Sequence, residues 1–225
     1  MIKLLIFDAG GVLYNGSSEI VKAAVEKFLK KHGVYDLEGS EKVWSGIEPL
    51  VYVGKISLRE AYERWLEGVG LSKDLIGEWD EVITSEIWAK FRKTAGINGL
   101  LRKLKSRYTL VVLSDTIEGK QEKIRKMKTV GVDPESFDEI FTSHDLGVCK
   151  PNMKAFWTVL KRYNAKPEET LFISDACDEL RGAKKIGLAT VGYRCDCGSH
   201  NVKKLSDVFK LLQVDEALKA NDVTV

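Results

Sequence analysis

The chain has 225 residues, enough for one large domain or for a core with a smaller companion. Its 44% hydrophobic and 30% charged composition is that of a globular protein, and 35 Lys and Arg against 33 Asp and Glu leave a formal charge of +2. That balance gives no electrostatic footprint for nucleic acid or a membrane surface, so neither is expected as a partner.

The opening Met1-Ile2-Lys3-Leu4-Leu5-Ile6-Phe7 has an apolar run too short for a signal peptide or a membrane span, and Asp8 ends it. A strand over Lys3 to Phe7 and a cytoplasmic location are expected. From Ser17 to about Arg92 helical periodicity takes over. Ser17-Ser18-Glu19-Ile20 starts a helix with Val21, Ala24, Val25, Phe28 and Leu29 on one stripe, and Gly33 ends it. Leu58 to Leu66 and Leu75 to Phe91 follow the same pattern, and a weak strand-like run lies near Leu50 to Val53. Trp44, Trp65, Trp79 and Trp88 fall in this insert, where core packing of a small bundle accounts for most of them.

From Ala95 helices and strands alternate. Helices are predicted over Leu100 to Lys105, Lys120 to Thr129, Met153 to Tyr163, Glu179 to Ile186 and Val202 to Leu218. Strands are predicted over Thr109 to Leu113, Ile140 to Thr142, Leu171 to Ser174 and Leu188 to Tyr193. These strands are apolar almost throughout, which suits a parallel sheet covered on both faces. The expected fold is α/β, a Rossmann-like doubly wound parallel sheet built from residues 1–14 and 93–225. Residues 15–92 form a small α-helical cap domain inserted after the first strand. Cys149, Cys177, Cys195 and Cys197 show no CxxC spacing and are expected as free thiols, and Cys195-Asp196-Cys197 with His200 lacks the usual zinc-ligand spacing.

In a parallel α/β sheet ligands bind beyond the carboxyl ends of the strands, so polar residues that follow apolar strands carry the interest. Three strands end that way: in Phe7-Asp8-Ala9-Gly10-Gly11-Val12-Leu13, in Leu113-Ser114-Asp115-Thr116, and in Ile173-Ser174-Asp175-Ala176-Cys177-Asp178-Glu179. Each alone reads equally well as a helix cap or a turn. In this order, with Lys150-Pro151 between the last two, they resemble the haloacid dehalogenase superfamily over nearly the whole chain. Ser143 to Asn152 looks like the stretch that carries that family's lysine, and the insert lies where the first cap subclass has its helical cap.

The resemblance implies a Mg²⁺-dependent hydrolase with Asp8 as nucleophile, attacking phosphorus to form an aspartyl-phosphate. Asp8, the Gly10 carbonyl and Asp175, with Glu179 or Asp178 as an outer carboxylate, are the implied Mg²⁺ ligands. Ser114, Asp115 and Lys150 are placed to hold the transferring phosphoryl oxygens, and Gly10 and Gly11 let backbone amides approach the phosphate. One position departs from the family's phosphatases, which have an acid/base aspartate where this chain has Gly10. Three readings follow: a phosphatase of a small phosphorylated metabolite that draws its acid from Tyr14, Asp115 or the cap; a 2-haloacid dehalogenase; or a phosphate-ligand binding or regulatory protein with weak turnover. Arg59, Arg64, Trp44 and Tyr52 read equally as pocket or as bundle residues. Oligomeric state is left between monomer and weak dimer.

Overall fold

All four residues of β1 (Leu4–Phe7) are buried, and their side chains alternate between two separate apolar clusters. Leu5 and Phe7 face one cluster, and Leu4 and Ile6 the other. The same alternation runs through β4 (Thr109–Ser114), where Leu110 and Val112 oppose Val111 and Leu113, and through β6 (Thr170–Ser174). This two-sided burial is why the strands read as continuous apolar runs. The computed structural model describes residues 1–16 and 18–213. The helix start expected at Ser17 and the last part of the helical stretch expected to Leu218 lie outside the described residues.

Between β1 and β4 come β2 (Tyr14–Asn15), α1 (Ser18–Lys31), α2 (Leu37–Tyr52), α3 (Leu58–Gly68), α4 (Ile76–Val82), β3 (Arg92–Lys93) and α5 (Ile97–Lys105). After β4 follow α6 (Lys120–Thr129), β5 (Glu139–Thr142), α7 (Ser143–Leu146), α8 (Met153–Tyr163), β6, α9 (Cys177–Lys185), β7 (Ala189–Tyr193), β8 (His200–Val202) and α10 (206–213). The large sheet is parallel, in the order β5-β4-β1-β6-β7-β8. On one face α5 packs Ile97, Leu100, Leu101 and Leu104, joined by Val208 and Leu212 of α10. On the other α8 packs Phe156, Val159 and Leu160 beside Leu180 and Ala183 of α9. The fold is thus the expected Rossmann-like α/β core with a helical cap.

The chain runs from β1 to β4 and β5 on one side and returns to β6 on the other. A topological switch point therefore lies between β1 and β6, beyond their carboxyl ends. The cap helices enclose their own apolar cluster, with Phe28, Trp65, Leu66 and Trp79 at its centre. Trp88 packs instead on the core cluster, with Tyr14 and Phe91. Chain exit and re-entry meet in a two-stranded antiparallel ribbon of β2 and β3, which pairs Tyr14 with Lys93 and Asn15 with Arg92.

Several expectations need correction. The run near Leu50 to Val53 is the last turn of α2 and its cap, not a strand. α2 was hidden by Gly39, Gly46 and Pro49, which weaken helix propensity. The helix expected over Leu75 to Phe91 is α4 followed by a π-turn at Ile83–Ile87 and a 3₁₀ turn at Trp88–Lys90. Cys177 and Cys197 are joined in a disulfide, and only Cys149 and Cys195 are free thiols. Their pairing has no sequence signature because the loop after β7 folds back onto the start of α9, across a separation of 20 residues.

Candidate active site

Asp8 follows β1 directly, and its backbone N–H donates to the Ile173 carbonyl at 2.9 Å, which extends the ladder to the mouth of the sheet. The site is therefore built between Asp8 and the ends of the two flanking strands, Ser114 on β4 and Ser174 on β6. Asp8 is 8% exposed and Ser114 1%. The Lys150 ammonium, brought in by the loop after α7, bonds Asp8 Oδ1 and lies 3.0 Å from Glu179 Oε1. Its side chain is fully buried. Burial alone would lower its pKa, but the charges of Asp8, Glu179 and Asp115 outweigh that and hold the ammonium above the usual lysine range.

The loops around this pair are tied to one another. Ser143 Oγ accepts from the Thr116 N–H at 3.0 Å and donates to the Thr116 carbonyl at 3.2 Å, which fixes the turn after β4 against α7. Asp115 Oδ1 accepts from the Lys150 N–H at 3.1 Å, so Asp115 holds the loop that delivers Lys150. Ser114 Oγ makes only a long contact, 3.4 Å to the Asp115 carbonyl. Ser174 Oγ donates to Glu179 Oε2 at 2.7 Å and accepts from the Ala176 N–H at 3.0 Å, which steers Glu179 towards Lys150. This Ser174 contact was missed in the sequence; a serine where the resembled family closes its motif with glycine was the available signal.

The carboxylates crowd one another. Burial raises the Glu179 pKa to about 7, with Lys150 opposing and the charge of Asp8 adding to the rise. Burial, then Asp8, also raises Asp175. Asp115 is raised by burial against the pull of Lys150. Gly11 is required where it stands: its φ is +70°, and a Cβ there would lie 1.9 Å from Asp175 Oδ2. Gly10 is exposed and has nothing within 4 Å of where its Cβ would be. Among the described residues no three His, Cys, Asp or Glu side chains already converge as a metal site. Even so, Asp8 and Asp175 stand close enough to interact, beside a backbone that approaches without side chains. This excess of negative charge, with Lys150 as its counter-charge, suits a divalent cation.

A second buried group, absent from the expectations except for Tyr14, lies where the Asp8 loop meets α6. The backbones of Gly10 and Tyr14 form a β-bridge. Lys123 bonds the Tyr14 hydroxyl, and Glu118 pairs with Lys126 at 3.1 Å. Lys126 in turn lies 4.5 Å over the Trp88 ring. Arg59 and Arg64 are turned outward and paired on their own helix with Glu63 and Glu60.

A switch-point aspartate with a buried lysine, under a helical cap, defines a hydrolase of the haloacid dehalogenase type. The match to the family model of haloacid dehalogenase-like hydrolases runs over residues 2–187, and the chain belongs to that family. It is 29% identical over 204 residues to the glyceraldehyde 3-phosphate phosphatase of Methanocaldococcus jannaschii, covering 85% of this chain and 84% of the relative. It is 27% identical over 219 residues to the sesquiterpene phosphatase astK of Aspergillus oryzae, covering 94% and 96%. Among solved structures it resembles the HAD family enzyme BT-2542 of Bacteroides thetaiotaomicron in complex with magnesium and inorganic phosphate. There the identity is 25% and the TM-score 0.72, over 93% of this chain and all of the other. Among the described residues no helix is long and apolar enough to cross a membrane.

Proposed function

We propose that the protein is a Mg²⁺-dependent phosphatase of a small phosphorylated metabolite, working through an aspartyl-phosphate at Asp8. The observation that carries this is the burial of Asp8 against Lys150 at the switch point. The magnesium complex of BT-2542 and the phosphatase names of the relatives agree with it. Residues 1–14 and 93–225 are the catalytic core in this proposal, and 15–92 the cap.

Asp8, Asp175 and the Gly10 carbonyl, with Glu179 behind them, would hold Mg²⁺. When bound, the ion offsets repulsion between the Asp8 carboxylate and the phosphoryl oxygens. Asp8 attacks phosphorus as the ester P–O bond breaks and the leaving oxygen takes a proton from solvent; water then cleaves the aspartyl-phosphate, releasing inorganic phosphate and a proton and restoring the carboxylate. Ser114, whose hydroxyl is little engaged, donates to a phosphoryl oxygen, and Lys150 holds Asp8 in line while placing its charge on the same oxygens. No side chain at position 10 protonates the leaving group. That one feature favours a second reading, a phosphate-ligand binding or regulatory protein with slow turnover.

The test is phosphate release from p-nitrophenyl phosphate and a panel of sugar phosphates, with Mg²⁺ and with EDTA, alongside halide release from 2-chloropropionate. Mg²⁺-dependent release that Asp8→Asn abolishes is expected. Activity that survives in Asp8→Asn, or that ignores EDTA, would refute the proposal. Inactivity combined with Mg²⁺-dependent phosphate binding would select the second reading.

A further inference from the structure

The groups that face the phosphate site restrict what the rest of the substrate can carry. The cap closes over the core at the end of α2, where a Cβ on Gly54 would stand 2.3 Å from the His144 carbonyl oxygen. Ile117, two residues past Asp115, packs into the cap's apolar cluster. Tyr52, on the last turn of α2, comes within electrostatic reach of Glu118, Asp115 and Cys149. Burial, and then the neighbouring carboxylates, keep the phenols of Tyr52 and Tyr62 protonated well beyond the ordinary range.

Among the described residues the buried cations are Lys123, Lys126 and Lys150, and each is already engaged. Lys150 is shared by Asp8 and Glu179, Lys126 is paired with Glu118, and Lys123 is held by Tyr14 and Glu118. Around these three lysines stand five carboxylates, Asp8, Asp115, Glu118, Asp175 and Glu179. Fully ionised, the group carries two excess negative charges. A divalent cation offsets that excess, and a phosphate dianion restores it to two. A further anion would meet net repulsion and find no free buried cation.

We infer that the substrate is a phosphate monoester whose organic part is uncharged, and that the site rejects esters bearing a second phosphate or a carboxylate. The inference rests on the proposal that the phosphate is received at Asp8. Matched pairs that differ by one anion test it with Mg²⁺ present: glycerol 3-phosphate against 3-phosphoglycerate, and 2-hydroxyethyl phosphate against phosphoglycolate. The neutral member of each pair is expected to show kcat/KM higher by about tenfold or more. Equal or faster turnover of the carboxylates overturns the inference.

If neither member is hydrolysed, the phosphatase proposal fails on its own. Calorimetric binding of the same pairs then reads the inference: tighter binding of the neutral member by about tenfold supports it, and comparable binding, or none by either, overturns it. Glu118→Gln releases Lys123 and Lys126 from their carboxylate and is expected to narrow the ratio several-fold. An unchanged ratio in a variant with native circular dichroism would exclude this electrostatic origin, and a variant that does not fold leaves the paired comparison as the deciding test.

Discussion

The Lys150 ammonium is enclosed between Asp8 and Glu179, so removing it strands two buried carboxylates. Lys150→Met is expected to lose about 3–5 kcal/mol of stability at pH 8, as measured by urea melts. Glu179 gives a sharper pH test. Unfolded it titrates near 4.5, and burial raises it to about 7 in the fold. A raised folded pKa favours the protonated form, so this contribution is whole below about 4.5 and is lost as pH rises through about 7. In EDTA, Glu179→Gln should match the native protein at pH 5 and exceed it at pH 8 by up to about 3 kcal/mol. No gain at pH 8 would refute this account of the carboxylate. At position 10 the open space around the missing Cβ admits a side chain. Gly10→Asp is expected to fold normally and to speed hydrolysis of esters with poor leaving groups by roughly 10²–10⁴, with less effect on p-nitrophenyl phosphate.

At the scale of elements, the turn after β1 depends on Gly11. Gly11→Ala places a methyl group on the Asp175 carboxylate at a positive φ, and should cost about 1–3 kcal/mol and weaken Mg²⁺ binding measured by calorimetry. The core strands were legible because each is buried on both faces and a polar residue marks its mouth: Asp8, Ser114 and Ser174 all follow or end apolar runs. α2 was not legible. Its glycines and proline argue against a helix, and what outweighs them is the burial of Ile47 and Val51 in the cap cluster, a tertiary effect. The Tyr14, Glu118 and Lys123 cluster was equally hidden, since Tyr14 stands about a hundred residues before the other two and the three share no motif. Of its members only Tyr14 is a sequence candidate, as one of the alternative sources of the acid that Gly10 lacks.

For the molecule as a whole, the disulfide closes a ring that includes α9 and β7 and anchors the first turn of α9, which carries Glu179 and directly follows Asp175 and Ala176. Thiol titration of the unfolded chain should find two reactive groups without reductant and four with it. The double variant Cys177→Ser with Cys197→Ser should lose about 2–4 kcal/mol in chemical melts. The ribbon of β2 and β3 has a different consequence. Both passages between core and cap lie in one ladder, so Asn15 and Arg92 are neighbours across strands separated by about 4.8 Å. No strand of the large sheet lies between them in sequence. In topological terms the cap is an overgrown hairpin loop: a two-residue turn in its place would leave the strand order of the sheet unbroken. Loop-closure entropy grows only slowly with length, so a chain of this design accepts exchange of the whole loop for another without redesign of the sheet beneath.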